Sequence, residues 1–148
     1  MKIKSHLLIA LCLFSLQAFA GEKVLYQNWV VEFGPQTVEA YTANELGSSM
    51  GLFCGGNQCS FYLNPNLNCQ PDTKYSVLLN SALVSAAIAM KCTQIGNHYF
   101  QILEPFEALL NAVKSGDAIG FAVAVNSGAF VVMRFNLAGA SDAVARAI

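Results

Sequence analysis

Charge is scarce in this sequence. Asp, Glu, Lys and Arg make up 11% of the 148 residues, with 8 basic side chains against 9 acidic ones. No basic patch or run occurs, which argues against a nucleic-acid partner, because phosphate backbones are held by clustered Lys and Arg. Histidine is almost missing: after residue 20 only His98 remains. A single histidine gives a metal site or a Ser–His nucleophile little to work with. There is no Cys-x-x-Cys of the redox type, and no Gly-x-Ser-x-Gly, P-loop, Gly-x-Gly-x-x-Gly or His-Glu-x-x-His. No catalytic residue, metal ligand or cofactor is therefore assigned, and the chain is read as a non-enzyme. Long apolar runs are also lacking beyond the first twenty residues. The longest weakly polar stretch, Ala82 to Met90, is interrupted by Ser85 and is shorter than the ~20 residues a membrane-spanning helix needs. No repeat, low-complexity tract or linker divides the chain.

The N-terminal twenty residues carry a clear pattern. Lys2 and Lys4 precede an apolar run, Leu7 to Leu16, and Ala18-Phe19-Ala20 puts small residues where a signal peptidase reads. Residues 1–20 are thus expected to be a secretory signal peptide cut after Ala20. Leu11 stands before Cys12, where a lipobox has a small residue, so lipidation is not expected. The remaining 21–148 fits a single domain, with 6 basic and 9 acidic residues. High apolar content permits a well-buried core and leaves apolar surface for a partner.

Four cysteines remain in that domain: Cys54, Cys59, Cys69 and Cys92. An even count in an exported chain reads as disulfides. Of three possible pairings, Cys54–Cys59 plus Cys69–Cys92 is favoured. Gly55-Gly56-Asn57-Gln58 makes a plausible hairpin loop, and the first bridge would staple its two strands. Zinc is the rival reading, but it wants Cys-x₂-Cys spacing, and the gaps here are four, nine and 22 residues.

The rest of the chain reads as mainly β. Val24 to Phe33 is rich in β-branched and aromatic residues and predicts one strand, with Trp29 as a core anchor. Further strands are expected at Thr37 to Thr42, Met50 to Phe53, Ser60 to Leu63, Tyr75 to Asn80 and Tyr99 to Leu103. Ser81 to Cys92 is Ala-rich, which suits a helix, but its place between strands favours a strand. Pro105 is expected at the first position of a helix whose apolar stripe is Phe106, Leu109, Leu110 and Val113, stopped at Gly116. Ala118 to Val125 is expected to turn Ile119, Phe121, Val123 and Val125 to one face. The small residues Gly120, Ala122 and Ala124 on the other would admit the helix. After a turn at Asn126-Ser127-Gly128, Phe130 to Leu137 returns with Val131, Met133, Phe135 and Leu137 inward and Arg134 outward. Ser141 is expected to cap a short last helix. The fold class is thus a disulfide-clasped, β-sandwich-like domain with one packed helix and a short C-terminal helix.

Candidate chemistry is thin. Glu104 and Glu107 could pair for acid–base work in a cleft, but negative charge at a helix start has a simpler explanation. His98 follows Gly96-Asn97 in an expected turn. Asp117 and Asp142 sit at element boundaries. Arg134, alone in an apolar strand, must reach solvent, an acid or a partner.

Several segments, in order, resemble the invasion-associated locus B family of exported bacterial proteins. They are Trp29-Val30-Val31, Lys114-Ser115-Gly116, Gly120-Phe121-Ala122-Val123, and Phe135-Asn136-Leu137-Ala138-Gly139 followed by Ala143-Val144-Ala145. The resemblance lies mainly in the C-terminal third. Glu32 and Phe33 stand where many relatives have a cysteine after the tryptophan, and the Cys-rich middle is this sequence's own, so no cysteine pairing carries over. The resemblance implies a periplasmic, β-sandwich-like domain with a non-enzymatic role at the envelope or in host interaction. The expected function is an exported, periplasmic or secreted protein that binds another protein or an envelope component. An alternative is an inhibitor of an envelope or peptidoglycan hydrolase acting through the Cys54–Cys59 loop, with Gly55, Gly56, Asn57 and Gln58 as the contact residues.

Overall fold

The computed structural model describes residues 21–125 and 127–148. The expected leader, 1–20, and Asn126 of the expected turn lie outside the described residues. The elements in order are β1 (Glu22–Tyr26), β2 (Trp29–Phe33), β3 (Thr37–Ala43), β4 (Ser49–Gly55), β5 (Gln58–Asn64), β6 (Lys74–Ser81), β7 (Ser85–Ile95), β8 (His98–Glu104), α1 (Phe106–Val113), β9 (Ala118–Ala124), β10 (Phe130–Asn136) and α2 (Ala140–Ala147). All ten strands pair antiparallel in one sheet, in the order β1-β2-β3-β4-β5-β8-β7-β6-β9-β10. The mainly β class, the two helices and the two disulfides are as the sequence leads one to expect. The sandwich-like form arises because one long, twisted sheet curls around the core and the two helices.

The curl is held by a seam between the two ends of the sheet. The Trp29 indole N–H donates to the Asn136 carbonyl at 3.0 Å, and Asn44 Nδ2 reaches the Arg134 carbonyl at 3.5 Å. The Asn28 amide donates to the Ala138 carbonyl at 3.2 Å. These bonds join the β1–β2 and β3–β4 turns to β10 and the start of α2. Both helices fill the concavity. The first, α1, packs across β8, β5, β6 and β9, with Phe106 5.1 Å from Phe61 between ring centroids. The second, α2, packs on β2, β3 and β4 through Ala140, Ala143, Val144 and Ala147. Trp29, Phe61, Phe121, Met50 and Leu109 are fully buried in one continuous core.

Two connections cross the sheet. Residues 65–73 lead from β5 to β6, past β8 and β7, and α1 leads from β8 to β9. The first crossing is pinned to β7. Cys69 is bonded to Cys92, Cys92 N–H donates to the Thr73 carbonyl and receives the Asp72 N–H at its own carbonyl, both at 2.9 Å, and Lys91 pairs with Asp72 at 3.2 Å. The Cys54–Cys59 bridge closes a separation of 5 residues and Cys69–Cys92 one of 23. Loop-closure entropy then ranks them at about 2 and about 3.4 kcal/mol. Replacing Cys69 and Cys92 together by Ser is expected to cost about 3 kcal/mol in a urea titration, and more than the matching Cys54/Cys59 pair.

Four local expectations need correction. Val24 to Phe33 is not one strand. The chain turns at Gln27-Asn28, with Gln27 at φ 52°, and Tyr26 pairs with Trp29, because two polar residues form a tight turn inside the apolar run. The small face of β9 does not receive a helix: Ile119, Phe121 and Val123 point inward, where α1 lies, and Gly120, Ala122 and Ala124 face out. Pro105 precedes the helix as its cap, with extended backbone at ψ 150°. Finally, α2 starts from Gly139 at φ 85°, and Ser141 lies inside the first turn without capping it.

Candidate functional site

The middle hairpin pairs without interruption along its whole length. Strands β4 and β5 stay in register from Ser49↔Asn64 to Gly55↔Gln58. The expected four-residue loop is therefore shorter: Gly55 and Gln58 end the strands, and only Gly56 and Asn57 turn. Gly56 has φ 59°, a positive angle at the first central position that suits a two-residue hairpin and that glycine adopts freely. Cys54 faces Cys59 directly, and their Cα atoms lie 4.1 Å apart where the disulfide joins them. The bridge thus ties the strands one step below the tip. A Cβ added at Gly56 would have nothing within 4 Å, so the tip stands free of the rest of the domain.

Alternation puts Leu52, Cys54, Phe61 and Leu63 inside, which leaves Phe53, Ser60 and Tyr62 on the outer face. There they meet Glu39 of β3 and Phe100 and Ile102 of β8, with Ile95 at the end of β7. These residues line a cleft of about 320 Å³ on the flank of the hairpin, beginning one rung below the Cys54–Cys59 bridge. Phe53 is 45% and Ile95 59% exposed, whereas Tyr62 is only 5% exposed although it lies on the outward face. Its ring stands edge-on to Phe100, 5.6 Å between centroids, and its hydroxyl donates to Glu39 Oε1.

Burial, and then the Glu39 charge beside it, push the Tyr62 phenol well above the ordinary tyrosine range. The protonated phenol is favoured in the folded state, so above the usual value near ~10 the unfolded chain loses this proton first. The stabilisation is complete below that pH and fades as pH rises beyond it. Spectrophotometric titration is expected to show a tyrosine component that ionises only as the protein unfolds, and Tyr62→Phe should remove it.

The other candidates lie elsewhere. Glu104 and Glu107 are exposed at the start of α1, and Glu104 pairs with Lys74 at 3.4 Å. His98 is exposed beside Asn64, Asn66 and Tyr99. Asp117 and Asp142 are exposed, and Trp29 is wholly buried. Arg134 lies on the outer face near Gly120, far from the hairpin in sheet order. Among the described residues no three His, Cys, Asp or Glu side chains gather as a metal site would require. Sequence reasoning found the loop and its cysteines but missed the cleft. The signal was present: Leu52-Phe53 and Phe61-Tyr62 put large apolar side chains on both faces of one hairpin, which a strand with one solvated face does not need.

No family model and no curated protein matches the sequence. The crystal structure of invasion associated protein B from Bartonella henselae is similar to this chain in fold. The likeness has a TM-score of 0.59 at 16% identity and covers 84% of this chain and 94% of that one. The resemblance noted from the C-terminal third thus extends to the fold of most of the chain.

Proposed function

We propose that this chain is an exported envelope protein that works by binding another protein through the disulfide-tied hairpin and the aromatic cleft on its flank. The carrying observation is the exposure of Phe53 and Ile95 around a cleft on the outer face of the sheet, beside a rigid, free-standing tip. Exposed aromatic groups held on strands give contact area at little entropic loss. Export is supported by the leader-like first twenty residues and by two disulfides, which persist in oxidising compartments. A role in contact with host cells rests on the fold likeness to the invasion associated protein and on the resemblance of the C-terminal motifs. The reading is non-catalytic, and Glu107→Gln should leave every function of the chain intact. The freedom of the Gly56 tip also favours a narrower version, in which the loop Gly55, Gly56, Asn57 and Gln58 enters the cleft of an envelope hydrolase and blocks it.

The test uses the oxidised protein immobilised over detergent-solubilised bacterial envelope and, separately, host-cell membrane. Phe53→Ser, which adds no charge opposite its cross-strand partner Glu39, is expected to keep the fold and to reduce the retained partner by at least tenfold, the usual weight of a buried aromatic anchor of ~1.4 kcal/mol or more. Unchanged retention would remove the cleft from the binding surface. Loss with Gly56→Arg but not with Phe53→Ser would select the inhibitor version.

A further inference from the structure

The sheet has two edges, and they differ. At one end β1 carries Glu22 and Lys23, and Lys23 pairs with Glu32 at 2.9 Å. Charge of this kind guards an edge strand against pairing. At the other end β10 opens with Phe130-Val131-Val132-Met133 and has no charge before Arg134.

The direction of its backbone groups follows from the seam. The Arg134 and Asn136 carbonyls accept bonds from Asn44 and Trp29, so they point away from β9. In an antiparallel strand the N–H and C=O of every second residue point the same way. Phe130 and Val132 therefore also turn both backbone groups to the open side, at the spacing another strand would match. The far half of the edge is closed by Asn44 and Trp29, and the half around Phe130 and Val132 is open among the described residues. Exposed apolar side chains flank it: Phe130 is 61%, Val132 53% and Leu46, across a cleft of about 440 Å³, 81% exposed.

Arg134 supplies the electrostatics. It makes no ion pair among the described residues. Besides the cleft it shares with Leu46 and Glu45, it borders a groove of about 590 Å³ on the other side of β10, floored by Gly120 and Ala122. That groove lies over β9, away from the open edge. On the open side, an incoming carboxylate would meet the unpaired Arg134, with Glu45 on the opposite lip of the cleft.

We propose that the open half of β10 is a strand-addition site, where an extended segment of another protein pairs with Phe130 and Val132 as an eleventh strand and sets a carboxylate against Arg134. Main-chain bonds give the contact, Val132 and Leu46 cover apolar side chains, and Arg134 selects an acidic residue. This surface is separate from the hairpin cleft and does not depend on it.

The probe is a set of labelled peptides of alternating valine and threonine with one terminal glutamate, made in both orders, and the same peptides with lysine for glutamate. Titration into the isotopically labelled protein should move the Phe130 and Val132 amide signals and slow their exchange. The lysine peptides should bind roughly three- to fivefold more weakly, the weight of one exposed ion pair. Val132→Pro deletes only an outward N–H, which an edge strand tolerates, and should abolish the shifts. If that variant unfolds, Val132→Lys, an edge guard that keeps the N–H, should weaken binding in its place. Absence of shifts at millimolar peptide, or equal binding of both peptide sets, overturns the proposal. So does protection of the same amides by the protein's own concentration alone, which would make the occupant a second copy.

Discussion

Gly139→Ala is expected to destabilise the domain by more than about 3 kcal/mol, two effects adding at one atom. Gly139 has φ 85°, and a side chain in this left-handed region costs roughly 1–2 kcal/mol. The new Cβ would also fall on the Tyr26 carbonyl, with Gln27 Cβ only 3.3 Å away. The Tyr26 carbonyl is backbone of the β1–β2 hairpin, and the Gln27 Cβ is fixed directly to that backbone, so neither can rotate aside as the end of a side chain would. The hairpin would have to retreat, and the neighbouring Asn28-to-Ala138 bond would go with it. In thermal unfolding the loss should appear as a fall of roughly 10–15 °C in Tm. Gly116→Ala is the control. Gly116 has φ 83°, but a Cβ there meets nothing within 4 Å, so only the backbone term of roughly 1–2 kcal/mol should remain. Equal losses at the two sites would mean that the contact with Tyr26 does not matter.

Trp29→Ala should be as damaging, at roughly 3–5 kcal/mol. Trp29 is fully buried and its indole N–H holds the Asn136 carbonyl. Truncation therefore opens a large cavity and leaves a β10 carbonyl without its donor. Trp29→Phe keeps much of the apolar volume and loses the bond, and should cost about half as much. Because Trp29 and Gly139 act on the same seam, their double variant should lose less than the sum of the two singles. Chemical denaturation of all four proteins measures this. Strict additivity would argue that the ends of the sheet are held independently.

The two sites explain how far the sequence could be read. The strand pattern was legible because inward residues alternate cleanly in Phe130 to Leu137 and in Ile119 to Val123, and period-2 alternation is a local property. The Cys54 hairpin was legible because turn formers and paired cysteines sit next to one another. The curl was not. It depends on Trp29 meeting Asn136, 107 positions away, and on Gly139 meeting Tyr26, and no local pattern encodes such contacts. The β1–β2 turn escaped because Gln27 is not a usual turn residue. The small face of β9 was assigned to the helix because a Gly-Ala stripe normally signals close packing. Here it faces outward, and the bulky face receives α1. The candidate cleft was missed for a related reason. It draws on β3, β4, β5, β7 and β8, and only the pairing order of the sheet brings Glu39, Tyr62 and Phe100 together.

The proposed function depends on which outward face touches a partner. The most direct measurement places a photo-crosslinking amino acid, one at a time, at Asn57 on the hairpin tip, at Phe53 on the lip of the cleft, and at Lys114 beyond α1, in the protein produced in the organism that encodes it. All three positions are exposed, so a difference in yield reports contact rather than access. The account predicts discrete heavier species from positions 53 and 57 and none from 114. Crosslinks from 114 with none from 53 or 57 would contradict it, and would mean that the disulfide-tied hairpin and its cleft are structure alone.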